Sequence, residues 1–418
     1  MALSLCRTVG ILAKGIHSSA EREQFGVVGG CEAVVQAMQR FQNTEGVARC
    51  GCLAIRALAF DHSSNQKALR VAGGCEVVVD AMRRHSLTQS GPLVHEAATW
   101  AASNLAQGSP ENKELLGTLG AVEAVLEAFE LHGRYLEVTR WSCSALRHLC
   151  DGNERNRSKI SFSCAPELLC MAIQKFVTED EIVEWALLTM VVVCADRVGQ
   201  HRLGLVGICK AVIPILQRSD VLASLACDLI AALSIKSPDN QTKLGQAGAC
   251  KAVMQTLEAV MLRSEQTSGS INRKTNHYTV LDTVKDIAVS VFASASAAAA
   301  SASTSSSSTS DDAASASTAG VAAEEQGQEQ GQEHQQHQQG QKPVDERETI
   351  TAVAVLVEGC LRALNGLALG HEGNRSKLMS LGAVDLVSAV LNLAVFSEEL
   401  KEEARDALES IENVVVPR

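Results

Sequence analysis

An asparagine stands eight residues before a glycine or its equivalent at Asn65, Asn112, Asn156, Asn240 and Asn374, facing Gly73, Gly120, Cys164, Gly248 and Gly382. The first four asparagines are 47, 44 and 84 residues apart, and Gly199, eight residues before Gly207, fills the long interval. One small structural unit therefore recurs along most of the chain. A unit of this size cannot bury its apolar face alone and must stack on its neighbours, so the period specifies a solenoid. Such a stack presents a long binding surface rather than an enclosed reaction centre.

The segment after each glycine repeats as well. Gly30-Cys31-Glu32-Ala33-Val34-Val35, Gly74-Cys75-Glu76-Val77-Val78-Val79 and Ala121-Val122-Glu123-Ala124-Val125-Leu126 share one pattern, and a third segment of small and apolar residues comes next, as in His95 to Ala106 and Val355 to Ala368. Three helices per unit is the simplest reading. The asparagine is expected to cap the first helix and the glycine to end it in the left-handed conformation. Glu32, Glu76, Glu123, Glu167 and Asp385 then fall in the first turn of the second helix, where its dipole favours a negative charge. Pro214 lies inside the second helix of the fifth unit and should make that unit the least regular.

In this order of Asn-rich short helix, glycine, second helix and long third helix ending in an Ala-Leu-x-Asn-Leu-Ala-like run, the chain resembles the armadillo repeat proteins. The resemblance implies an all-α, right-handed α-solenoid of about seven three-helix repeats. Residues 1–20 read as the end of a preceding repeat or a cap, 21–262 as repeats one to six (first part), 263–349 as a low-complexity insertion, and 350–414 as the remainder of repeat six and repeat seven. At 418 residues the chain is too long for one globular core but not for a stack. An aromatic content of 3 % suits helices packed closely through Ala, Leu and Val.

The insertion is sized by the repeat itself, since Cys250 and Val384 share a column yet stand 134 residues apart. Ala293 to Gln341 is Ala/Ser-rich and then Gln/Glu/Gly/His-rich, with too little apolar content to offset ordering, and is expected to be disordered. Thr279 to Phe292 is expected to form an amphipathic helix. Between Ala293 and Thr349 nine acids face Lys342 and Arg347, so this stretch carries most of the net charge of −11. Neither part has a nucleic-acid footprint.

The cysteines lack the paired spacing of a metal site and read as small buried apolar residues, in a reducing compartment. His334 and His337 belong to low-complexity sequence. No nucleophile elbow, phosphate loop, dinucleotide fingerprint or His-Glu-x-x-His motif occurs, so neither catalysis nor a cofactor or metal is expected. Met1 to Ala20, with Arg7 and Lys14 and no acid, also fits a mitochondrial presequence, although Val9 to Ala13 matches the end of a third helix. No apolar run is long enough to span a membrane. The expected location is cytoplasmic, with nuclear and mitochondrial matrix alternatives, and the molecule is expected to be a monomer or part of a larger complex.

In armadillo proteins the third helices line a concave groove, and in importin-alpha-like members a Trp with an Asn four residues on clamps an extended peptide. Trp100 and Asn104 match that pair here; the other units do not, and Trp141 and Trp185 fall out of phase. The resemblance thus implies a non-enzymatic scaffold binding a partner protein or extended peptide, with an importin-alpha-like cargo adaptor as the alternative. The groove residues proposed from register are Arg56, Trp100, Asn104, Arg140, Arg147, His148, Arg362 and Asn365. The first three units would then present a partly basic patch with an aromatic centre.

Overall fold

The structure, a computed structural model, describes residues 19–268, 346–393 and 396–412 together with Ser4 and Thr8. The expected amphipathic helix and low-complexity tract, and most of the amino-terminal segment, lie outside the described residues. The described residues form 21 α-helices and one 3-10 helix, with no strand among them. They group in threes into seven units. The first helices are α1 (Ser19–Val27), α4 (Ser63–Ala72), α7 (Pro110–Leu119), α10 (Glu154–Phe162), α13 (Arg197–Leu205), α16 (Pro238–Ala247) and α19 (Glu372–Ser380). The second are α2 (Gly30–Arg40), α5 (Gly74–Arg84), α8 (Ala121–His132), α11 (Ala165–Lys175), α14 (Ile208–Ala211), α17 (Ala249–Ser268) and α20 (Ala383–Asn392). The third are α3 (Glu45–Ala59), α6 (Gly91–Ala106), α9 (Leu136–Cys150), α12 (Asp180–Val193), α15 (Asp220–Ser234), α18 (Glu346–Ala368) and α21 (Glu398–Glu412).

The chain is an all-α solenoid with one continuous core running through the whole stack. Each third helix packs on the next, from α3 to α21, and first helices pack on first helices. Gly73, Gly120, Gly207, Gly248 and Gly382 all take a left-handed φ, between +74° and +95°, at the turn between first and second helix. A residue with a Cβ would be strained there, which is why the glycine recurs. Pro214 has the expected effect. It cannot donate a backbone hydrogen bond, so α14 stops after four residues and Ile213–Gln217 continues as the 3-10 helix.

The asparagines do something other than cap. The caps are the residues three positions earlier: His62 Nδ1, Ser109 Oγ, Asn153 Oδ1 and His371 Nδ1 accept the asparagine's own backbone N–H. The asparagine side chain is instead buried between units, at most 2 % exposed. Asn156 Nδ2 donates to the carbonyl of Leu149, ending the third helix behind it, and to that of Lys113 in the first helix of the previous unit, both at 3.0 Å. Asn65, Asn112, Asn240 and Asn374 repeat this pair of bonds. The next residue, a glutamine in two units, reaches the other way. Gln66 and Gln241 donate to carbonyls at the end of their own unit's third helix, Asn104 and Gln107 for the first, Gly366 and Leu369 for the second. Two adjacent residues thus tie a first helix to the preceding unit and to its own third helix through backbone groups that would otherwise be buried without partners.

Candidate interaction surface

Each third helix packs on its neighbouring third helices along the row and on first and second helices behind it, which leaves one stripe of side chains facing out. That stripe recurs every third or fourth residue, as helical geometry requires. On α3 it includes Arg49 and Arg56, on α6 Glu96 and Trp100, on α9 Glu137, Arg140, Trp141, Arg147 and His148. The Arg56 guanidinium lies over the Trp100 ring, 3.4 Å from its centroid. Trp100 in turn stacks on Trp141, with centroids 3.6 Å apart and planes 10° from parallel. A second aromatic contact joins the next helix pair, where the Trp185 ring of α12 meets His148 of α9 edge-on at 5.3 Å. Three units are thereby joined on one face by half-buried aromatic rings.

Column matching alone does not find Trp141 and Trp185. Each stands one helical turn before the Trp100 column, three residues ahead of Ser144 and four ahead of Thr189, and so shares its face. Asn104 differs from its expected place. It is 5 % exposed, and its Nδ2 donates across the helix interface to the Arg56 carbonyl at 2.9 Å. One of its two amide hydrogens thus serves the stack.

The basic character expected of the first three units is largely neutralised from within. Arg140 donates to both carboxylate oxygens of Glu137 at 2.8 and 3.0 Å, and its Nε lies 2.9 Å from Glu181. Arg147 lies 3.1 Å from Asp151, whose carboxyl is held below its usual range against its own partial burial by Arg147 and Lys113. His148 adds no charge near neutral pH. Burial, then the adjacent Arg147 and Lys113, push it down to about 4, and its Nδ1 sits 2.9 Å from Ser103 Oγ. Arg362 is placed well away from this group, on α18, between Asp228 at 2.8 Å and Glu358 at 3.0 Å. Asn365 accepts a hydrogen bond from Ser410 of α21 at 2.6 Å.

The other chemistry-bearing residues are accounted for by packing. The described cysteines are free, and burial pushes Cys31 and Cys75 up to about 12, which leaves them as protonated core thiols. His95 Nε2 lies against the Met82 carbonyl at 2.9 Å inside the second unit. Among the described residues, no group of three or more His, Cys, Asp or Glu could hold a metal ion. No helix among them is long and apolar enough to cross a membrane.

No protein-family model and no curated protein matches the chain. Among solved structures, an engineered protein from a structural genomics consortium is similar over 97 % of this chain and 94 % of its own, at 17 % identity and a TM-score of 0.49. A designed armadillo repeat protein is 17 % identical over 55 % of this chain and 92 % of its own, with a TM-score of 0.48. Another, in complex with a (KR)4 peptide, is 16 % identical over 55 % and 91 %, with a TM-score of 0.46. The solenoid itself is established by the chain's own helix order and packing.

Proposed function

We propose that this chain is a non-enzymatic interaction scaffold that binds an extended segment of a partner protein along its third-helix face, in the cytoplasm. The observation that carries this reading is the aromatic ladder of Arg56, Trp100 and Trp141, continued by His148 and Trp185. Stacked, half-exposed rings held by neighbouring helices supply apolar contact area at little entropic cost, the property of residues that dominate binding energy at protein interfaces. A cargo adaptor of the importin-alpha type has no comparable support. It would need consecutive Trp/Asn pairs, whereas Trp100 and Asn104 form one such pair and the matching positions of the other units carry neither residue.

The test is affinity capture of partners from the native cell, and then the double change Trp100→Ala with Arg147→Glu. Binding of the principal partner should weaken at least tenfold, about 1.4 kcal/mol, while circular dichroism still reports a folded helical protein. Unchanged affinity in the folded double variant would move the interaction to another face.

A further inference from the structure

Five second helices carry an acid in their first turn, Glu32, Glu76, Glu123, Glu167 and Asp385. In units five and six that position is Lys210 and Lys251. Units three and four show what the acid does there. Lys159, on the first helix of unit four, donates to the Gly117 carbonyl at 2.7 Å and pairs with the Glu123 carboxylate of unit three at 2.9 Å. Arg202 of unit five pairs in the same way with Glu167 of unit four at 2.7 Å. The acid of one unit is thus a partner for the first-helix cation of the next.

Lys243 and Lys377 repeat half of that arrangement. Their Nζ atoms donate to the Gly204 and Gly245 carbonyls, the counterparts of Gly117, at 2.8 and 3.0 Å. The other half is inverted, because each meets a lysine where Lys159 meets Glu123. Both still reach that place. Burial pushes Cys209 and Cys250, the neighbours of Lys210 and Lys251, up to about 11, and Lys243 and Lys377 oppose the shift. Among the described residues, none of the four lysines pairs with a carboxylate. Asp239 stands one helical turn before Lys243, whose Nζ is turned to Gly204 instead. Glu258 of α17 is 7 % exposed and lies seven residues from Lys251. A lysine in the first turn of α17 works against the helix dipole, and two facing ammonium groups repel each other, so neither exchange stabilises the stack. Each ammonium has three donors, and the carbonyl takes one from Lys243 and one from Lys377. Lys210, Lys251 and Lys377 are exposed.

We infer that the first- and second-helix face of units five to seven docks an acidic segment of a partner protein. Its carboxylates take the places that Glu123 and Glu167 hold in units three and four, one at Lys210 and Lys243 and one at Lys251 and Lys377. This is a second surface, on the helices behind the third-helix row, and it stands whether or not that row binds a partner. Neighbouring helix axes are about 9 Å apart and an extended chain advances about 3.3 Å per residue, so the two lysine pairs match carboxylates about three residues apart. The net charge of −11 repels an acidic segment at long range, so its binding reports this local array.

The test uses the full chain and labelled synthetic peptides in a Gly/Ser background, one with two glutamate pairs that begin three residues apart, the other with glutamines in their place. Fluorescence anisotropy at low salt should show the glutamate peptide binding at least tenfold more tightly. Lys210→Glu with Lys251→Glu should weaken it at least tenfold. That variant restores the acid found in the other units, so it should melt no lower than the wild type; a lower melting temperature would contradict the geometry. Arg40→Glu with Lys67→Glu, the same charge change on exposed residues of units one and two, should leave binding unchanged, and so should Trp100→Ala with Arg147→Glu on the third-helix face. An equal loss in either of these variants would reduce the effect to general charge or move it to the other face, and would overturn the inference. So would no binding of the glutamate peptide, including the case in which phosphatidylserine vesicles bind instead. Binding that appears only once Ala293 to Gln341 is deleted would make the chain's own acidic tract the occupant and overturn the partner.

Discussion

Replacing one interior asparagine should cost more than any surface change and should reverse the usual effect of a helical glycine. Asn156 is 1 % exposed, and its Nδ2 makes two hydrogen bonds of 3.0 Å to backbone carbonyls of the preceding unit. At about 1 kcal/mol net for each bond and about 1 kcal/mol more for a buried acceptor left unmet, Asn156→Ala should destabilise by about 3 kcal/mol. Its partner in packing is Gly117, where a Cβ would run into Asn156 Oδ1. Helix propensity alone would make Gly117→Ala stabilising by about 1 kcal/mol. Overpacking against a buried side chain costs about 1–3 kcal/mol and should win. The double variant removes the collision, so it should be less destabilised than Asn156→Ala alone, with a coupling of about 2 kcal/mol. Unit five shows the same exchange naturally: Gly199 replaces the asparagine, and the facing position in unit four is Ser161. Guanidinium unfolding monitored by circular dichroism, with hydrogen exchange of α7 and α10 to localise the change, measures all three variants. A stabilising Gly117→Ala, or a double variant equal to the sum of the singles, would refute the reasoning.

Leu105→Asp places a charge at a fully buried position that ends α6 and whose carbonyl receives Asn112; limited proteolysis should then open more than one unit, and full resistance would contradict the packing. His148, lowered to about 4 in the fold, contributes stability that is present above about pH 6.5 and lost as pH falls through 4, at most about 3 kcal/mol before solvent screening. Comparing thermal unfolding of the wild type and His148→Gln at pH 7 and pH 4 should show the wild type losing more; equal losses would count against a neutral, buried imidazole.

The stack was legible because its determinants are local and periodic. The left-handed glycines, the first-turn carboxylates and the break at Pro214 each arise from one residue's backbone preference or charge, and each recurs at a fixed spacing or interrupts it. The asparagine's role was not legible, since Asn is both a good cap and a good donor to carbonyls. The residue three positions earlier, His62, Ser109, Asn153 or His371, carried the deciding signal. On the third-helix face, strict columns concealed Trp141 and Trp185, because side chains one turn apart share a face while occupying different columns. The loss of basic character in units one to three depended on which carboxylate each arginine meets across units, as with Arg140 and Glu181, and on the burial that keeps His148 neutral. Those are properties of the stack, not of a single repeat.

The central claim is that partners bind the third-helix face, and hydrogen exchange of the full chain with and without its captured partner tests it most directly. Protection on binding should appear in α6, α9, α12, α15 and α18, with the second helices α5, α8 and α11 unchanged. Protection confined to the second helices, or to the first-helix row, would contradict the account.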